Sequence, residues 1–174
     1  MKRLLACLAL AFCSSLAFTN TVSAQAKQAE PLVGCVDPSV RQLAEHIKHH
    51  YTDQGFITAR DAMIHMKSLD AFPVMLELKK GQLYQIIYVG QANGTVHKMV
   101  LYDGNDNVLK EKEIYKQKGE LPGNYIIFEF TPDRTDTYLL MVMTKLKNKD
   151  FCGSITILTP DPAKGHIDYK PFQP

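Results

Sequence analysis

The sequence lacks a second long apolar run. The one it has, Leu4 to Phe18, is interrupted by Ser14 and Ser15 and amounts to about 15 residues, short of the roughly 20 that a membrane-crossing helix needs. Met1-Lys2-Arg3 stands ahead of it and Val22-Ser23-Ala24 behind it. A basic start, an apolar middle and small residues at the end make the pattern of a secretory signal peptide, here residues 1–24 with the cut after Ala24. The expectation is an exported chain, periplasmic or secreted, with no membrane span once the leader is gone.

Charge of one sign is also lacking. There are 20 basic and 18 acidic residues. Taking the first 24 residues from 174 leaves 150 and removes Lys2 and Arg3, so 18 basic residues face 18 acidic ones. A neutral domain has no basic field for nucleic acid or anionic lipid, and neither is expected as a partner. Signatures of catalysis are missing too: no Gly-x-Ser-x-Gly elbow, no phosphate-cradling glycine loop and no dinucleotide fingerprint. The chain is read as a non-enzyme, with a metal-dependent hydrolase as the less favoured alternative.

Cysteine is scarce. Cys7 and Cys13 leave with the leader, and Cys35 and Cys152 remain. Two cysteines in an exported chain are expected to pair. The bond ties the start of the mature chain to its last strand. The sharper alternative, Cys152 as a nucleophile in Phe151-Cys152-Gly153-Ser154, has no evident base beside it.

What is present is a series of short apolar segments separated by turn residues. The segment 25–36 is polar and reads as flexible. Asp37-Pro38 supplies an N-cap and a proline for the first helical turn. Val40, Leu43, Ala44, Ile47 and Tyr51 then follow at helical spacing, predicting a helix from Pro38 to about Tyr51. Phe56 to His65 reads as a strand, although Ala59, Met63, Ile64 and Met66 also fit a helix. Strands follow at Val74–Leu78, Leu83–Val89, Val96–Tyr102, Val108–Ile114, Tyr125–Phe130, Tyr138–Met143 and Ser154–Leu158. Asn93-Gly94 predicts a hairpin between Leu83–Val89 and Val96–Tyr102. Lys110, Glu111, Lys112 and Glu113 mark an edge strand. Leu83–Val89 and Tyr138–Met143 are apolar on both faces and read as central. The fold class is therefore all-β, an antiparallel β-sandwich of about eight strands preceded by one N-terminal α-helix. Helix and sandwich occupy 37–159, and a Pro-rich tail, 160–174, lies on the surface or is partly disordered.

Three groupings are candidate sites. His46 and His50 are four apart on one helix face, a spacing that can ligate zinc, against the plainer reading of a solvated polar face. Asp103, Asn105, Asp106 and Asn107 crowd oxygen ligands into one turn, a composition that suits calcium as well as it suits a tight turn. No cofactor is expected, with calcium at this turn as the alternative. Tyr84, Tyr88, Tyr102, Tyr115 and Tyr125 are candidates for an aromatic platform that binds sugars, against core packing. Asn93-Gly94-Thr95 also matches a glycosylation sequon.

"LELKKGQLYQIIYVG", "MVLYDGNDNVL", "FEFTPDRTDTYLLMVM" and "CGSITIL" resemble the bacterial pre-peptidase C-terminal (PPC-like) jelly-roll domains over about Pro73 to Leu158. Lys80-Gly81, Leu101-Tyr102-Asp103 and Thr131-Pro132 with Tyr138 stand at that family's turn, acidic and corner positions. Thr137 replaces the usual glycine before Tyr138, and Gly104 follows Asp103 directly. The resemblance implies a jelly-roll-like sandwich in a stand-alone exported protein of the bacterial envelope or exterior. The combined expectation is a non-catalytic binding or accessory module for an envelope protein or a polysaccharide, or else a structural protein-contact module. The residues do not single out its ligand-binding positions.

Overall fold

The computed structural model describes residues 35–115, 123–147 and 150–173. The leader and residues 25–34 of the flexible segment lie outside the described residues. One α-helix, α1 (Pro38–Thr52), precedes eight strands: β1 (Phe56–Lys67), β2 (Phe72–Leu78), β3 (Tyr84–Val89), β4 (Val96–Tyr102), β5 (Val108–Tyr115), β6 (Tyr125–Phe130), β7 (Asp136–Lys145) and β8 (Asp150–Pro160). The strands pair antiparallel in two four-stranded sheets, β1-β8-β3-β6 and β2-β7-β4-β5. This is the strand order of a jelly roll, in which successive strands cross between the sheets. Among the described residues no helix is long and apolar enough to cross a membrane.

Alternation along the strands builds the core. In β2, Val74, Leu76 and Leu78 are buried while Pro73, Met75 and Glu77 are exposed. They meet Ile86 and Tyr88 of β3, Met99 and Leu101 of β4, Ile126 and Phe128 of β6, Tyr138, Leu140 and Val142 of β7, and Ile155 and Ile157 of β8. The ambiguous segment after the helix is a strand. β1 pairs with β8 from Phe56↔Pro160 to Lys67↔Asp150, with one irregularity between Thr58 and Arg60. β5, with its run of four charges, is an edge of the second sheet.

Asn93-Gly94 does not make the expected hairpin. β3 pairs with β6 and β8, whereas β4 pairs with β5 and β7, so the connection carries the chain from one sheet to the other. Gly94 does not have a positive φ. Its requirement is close approach, because a Cβ there would sit 2.6 Å from His97 Cε1 and 2.9 Å from Thr144 Cγ2. Gly90 is crowded by the same ring, at 2.5 Å from Nδ1. The β4–β5 connection at Asp103–Asn107 does join strands that are both neighbours in sequence and paired.

β3 is buried on both faces and β8 nearly so. Ile87, Val89 and Leu158 point away from the sandwich, and α1 covers them with Val40, Ala44, Ile47 and Tyr51. Asp37 caps this helix, accepting from Ser39 N at 2.9 Å and Val40 N at 3.2 Å, an arrangement worth about 1 kcal/mol. The Ser39 hydroxyl bond, with the other donors to this carboxylate, holds the Asp37 carboxyl below its ordinary value despite partial burial. Cys35, two residues before the cap, bonds to Cys152 of β8, with 5.6 Å between the Cα atoms and a sequence separation of 117.

Two outcomes test this architecture. Replacing both Cys35 and Cys152 by serine should lower unfolding stability by up to about 4–5 kcal/mol, the chain-entropy value for a loop of this length, as read by denaturant titration. Gly94→Ala should cost about 1–3 kcal/mol through overpacking against His97. A midpoint unchanged by that substitution would contradict the close approach.

Candidate functional site

The two sheets differ in what covers them. α1 packs on β8, β1 and β3 of the first sheet, and Ile167, Tyr169 and Phe172 of the tail join the same cluster. The second sheet has no such layer on its outer face among the described residues. Strand register sets neighbouring rows there: Pro73, Met141 and Val100 in one, Met75, Leu139 and Tyr102 in the next. Met143 lies opposite Lys98. Met75 is 59% exposed, and Leu139, Met141, Met143 and Tyr102 are half-buried. β7 is central, as its sequence indicates, yet its second apolar face looks outward. Lys98 borders this patch and bonds Glu111 of the edge strand.

Both helix histidines meet the tail, His46 while remaining exposed and His50 half-buried. His46 and His50 each stand edge-to-face with Phe172, at 5.4 Å between ring centroids, and Tyr125 does the same from β6. His50 Nε2 is 2.8 Å from the Lys170 carbonyl. Tyr169 receives a hydrogen bond from Gln85 Nε2 at 2.9 Å and donates to Glu129. Burial, reinforced by Glu129, pushes the Tyr169 hydroxyl up to about 12. Sequence reading missed these contacts, since Ile167, Tyr169 and Phe172 follow no regular period.

The oxygen-rich turn is knit to itself. Asp103 accepts from Asn105 N and Asn107 N, both at 2.9 Å, from Asn107 Nδ2 at 3.0 Å and from Arg134 Nη2 at 3.1 Å. Asp106 takes a positive φ of 62° and donates its N–H to the Asp103 carbonyl. A cation at this turn competes with four donors already on one carboxylate. Among the described residues no three His, Cys, Asp or Glu side chains come together as a metal-ligating group. The Asn107 side chain first, then the turn N–H groups and the Arg134 charge, hold the Asp103 carboxyl below 3.8.

The five tyrosines proposed as a platform share no face. Tyr84 and Tyr88 are inside the sandwich, Tyr125 lies beside Phe172, and Tyr102 and Tyr115 are on the second sheet. Tyr88 instead anchors a buried polar chain. Its hydroxyl is 2.6 Å from Thr144 Oγ1, which is 2.8 Å from His97 Nδ1. All three residues are buried, and burial pushes the Tyr88 hydroxyl up. Cys152, bonded to Cys35, carries no free thiol for nucleophilic attack.

No family model matches the chain, and no curated protein matches its sequence. Among solved structures it is similar to PliG of Aeromonas hydrophila, a periplasmic inhibitor of g-type lysozyme, at 11% identity, covering 57% of this chain and 84% of that one, with a TM-score of 0.42. It is also similar to a chain from the disulfide-linked pili of Bacillus endospore appendages, at 13% identity, covering 61% and 88%, with a TM-score of 0.38. Likeness at this level does not extend to what either protein binds.

The depressed Asp103 pKa has a definite sign. Its stabilisation is present above the ordinary value and is lost as pH falls through the lowered folded value. Asp103→Asn should therefore flatten the decline of the thermal midpoint between about pH 5 and about pH 2. An acid limb identical to that of the parent chain would remove Asp103 as a contributor.

Proposed function

We propose that this chain is an exported, non-catalytic binding module of the bacterial envelope or exterior. Its partner is another protein, docked on the outer face of the second sheet. The observation that carries this reading is the difference between the sheets. One outer face is covered by helix and tail, while the other leaves Met75, Leu139, Met141, Met143 and Tyr102 contiguous around the buried Val100. Contiguous apolar surface of this kind marks contact sites, and methionines adapt to a partner's relief without polar demands. A polysaccharide site instead needs convergent hydrogen-bonding groups around an aromatic surface, and here the polar groups stay at the rim. The signal-peptide pattern and the Cys35–Cys152 bond support export. The buried Tyr88–Thr144–His97 chain and the bonded Cys152 leave no exposed nucleophile–base pair among those residues, which supports the non-catalytic reading.

The test places a photo-crosslinking residue at position 141 in the full chain and recovers its adducts from the native envelope. A discrete protein adduct is expected. It should vanish in Met75→Lys, an exposed substitution that should change folding stability by no more than about 0.5 kcal/mol. The same substitution should weaken binding to the recovered protein at least tenfold, about 1.4 kcal/mol. A soluble polysaccharide that raises the thermal midpoint equally in parent and Met75→Lys chains would overturn the protein-docking reading.

A further inference from the structure

We infer that the groove between α1 and β6 is a peptide-recognition site, occupied at rest by the chain's own C-terminal tail, and that the tail of a second copy is its other occupant.

The groove handles the tail as a binding site handles a peptide. Gln54 reads the backbone of Lys170 from both sides, accepting from its N–H at 2.6 Å and donating to its carbonyl at 3.2 Å. His50 adds a contact to the same carbonyl, and the Phe172 N–H reaches the Tyr51 hydroxyl at 3.3 Å. These contacts are indifferent to side-chain identity. Selectivity comes from the places taken by Ile167, Tyr169 and Phe172. Tyr169 packs edge-on to Phe56 at 5.1 Å, and Phe172 sits among His46, His50 and Tyr125. Backbone bonds for affinity and spaced side-chain pockets for specificity are the general design of peptide grooves.

The tail is also built to leave. Among the described residues, its last backbone-to-backbone tie to the rest of the domain is Asp161 N to Gly55 O at 2.9 Å, and none follows from His166 onward. Its release breaks no strand ladder. A cleft of about 780 Å³ stays open beside it, lined by Ile57, Leu83, Pro160, Pro162 and His166 among others, so the tail does not seal the surface it crosses. Gly165, at a φ of 68° with no atom within 4 Å of where a Cβ would stand, offers a free pivot between the short 3-10 turn Pro162–Lys164 and the docked residues. The occupant is a second copy because this tail is the one peptide whose fit is on display. Exchange between copies remakes every contact of the docked tail, which is the low-cost route to linked subunits. The tether gives the chain's own tail a high effective concentration, so exchange favours crowded copies.

The test uses full-length chains. One population carries a donor fluorophore at Gln173→Cys and the other an acceptor at His49→Cys, an exposed helix position beside the groove. Mixing at rising concentration should produce energy transfer between chains together with a dimer in sedimentation. Met141→Lys should leave both unchanged, which separates this site from the second-sheet face, and Phe172→Ala should abolish them. Independently, the chain carrying Tyr169→Ala and Phe172→Ala should bind a labelled peptide of residues 161–174 saturably, with affinity reduced at least tenfold by Gln54→Ala. Two results would overturn the inference: no transfer at any concentration with no peptide binding by the folded tail variant, or transfer that survives Phe172→Ala.

Discussion

The structure depends on a surplus of apolar surface in the first sheet. β3 and β8 are its two inner strands: Ile86, Tyr88, Ile155 and Ile157 face the sandwich, and Ile87, Val89 and Leu158 face away from it beside the buried polar Gln85, Ser154 and Thr156. Ile87, Val89 and Leu158 would face water if the jelly roll stood alone. Burying such residues is worth about 1.5–3 kcal/mol each, so a third layer is a physical requirement. α1 supplies most of it. The cap at Asp37 fixes where the helix begins, the Cys35–Cys152 bond pins its approach to β8, and the tail fills the strip the helix leaves open.

The second sheet follows a different rule. β2 and β5 are its edges, and its inner strands β7 and β4 carry an outward face of methionine, leucine, valine and tyrosine. The charged residues of β5 guard the edge against strand pairing, while Lys98, bonded to Glu111, puts a polar border on the patch. The molecule thus protects its backbone hydrogen-bonding groups but leaves side-chain surface available. That combination suits contact through a face rather than through strand addition.

Much of the fold was legible because strand alternation and helical spacing are local. The positions of all eight strands, the helix from Pro38, the edge character of β5 and the Cys35–Cys152 pair were readable from residue order and composition. Pairing was not. Asn-Gly serves a hairpin through positive φ and an inter-sheet crossing through small size, and only the neighbour, His97, tells which. The two apolar faces of β7 fit its central place, but a strand's sequence does not say whether anything lies above its outer face. The tail's place on the surface was legible but its docking was not, because Ile167, Tyr169 and Phe172 dock one by one, without a period. The roles of His46 and His50 escaped with it, since their contact with Phe172 spans more than 120 residues.

The pairing of β1 with β8 has a consequence for the order of folding. β8 is the last of the eight described strands in chain order, and it completes the first sheet by lying between β1 and β3. A chain threaded N-terminus first cannot assemble that sheet until residues near Pro160 have emerged. Contacts of such long sequence separation slow folding in any case. The topology therefore makes closure of the first sheet a late event in folding. The Cys35–Cys152 bond joins the segment before α1 to that same late strand.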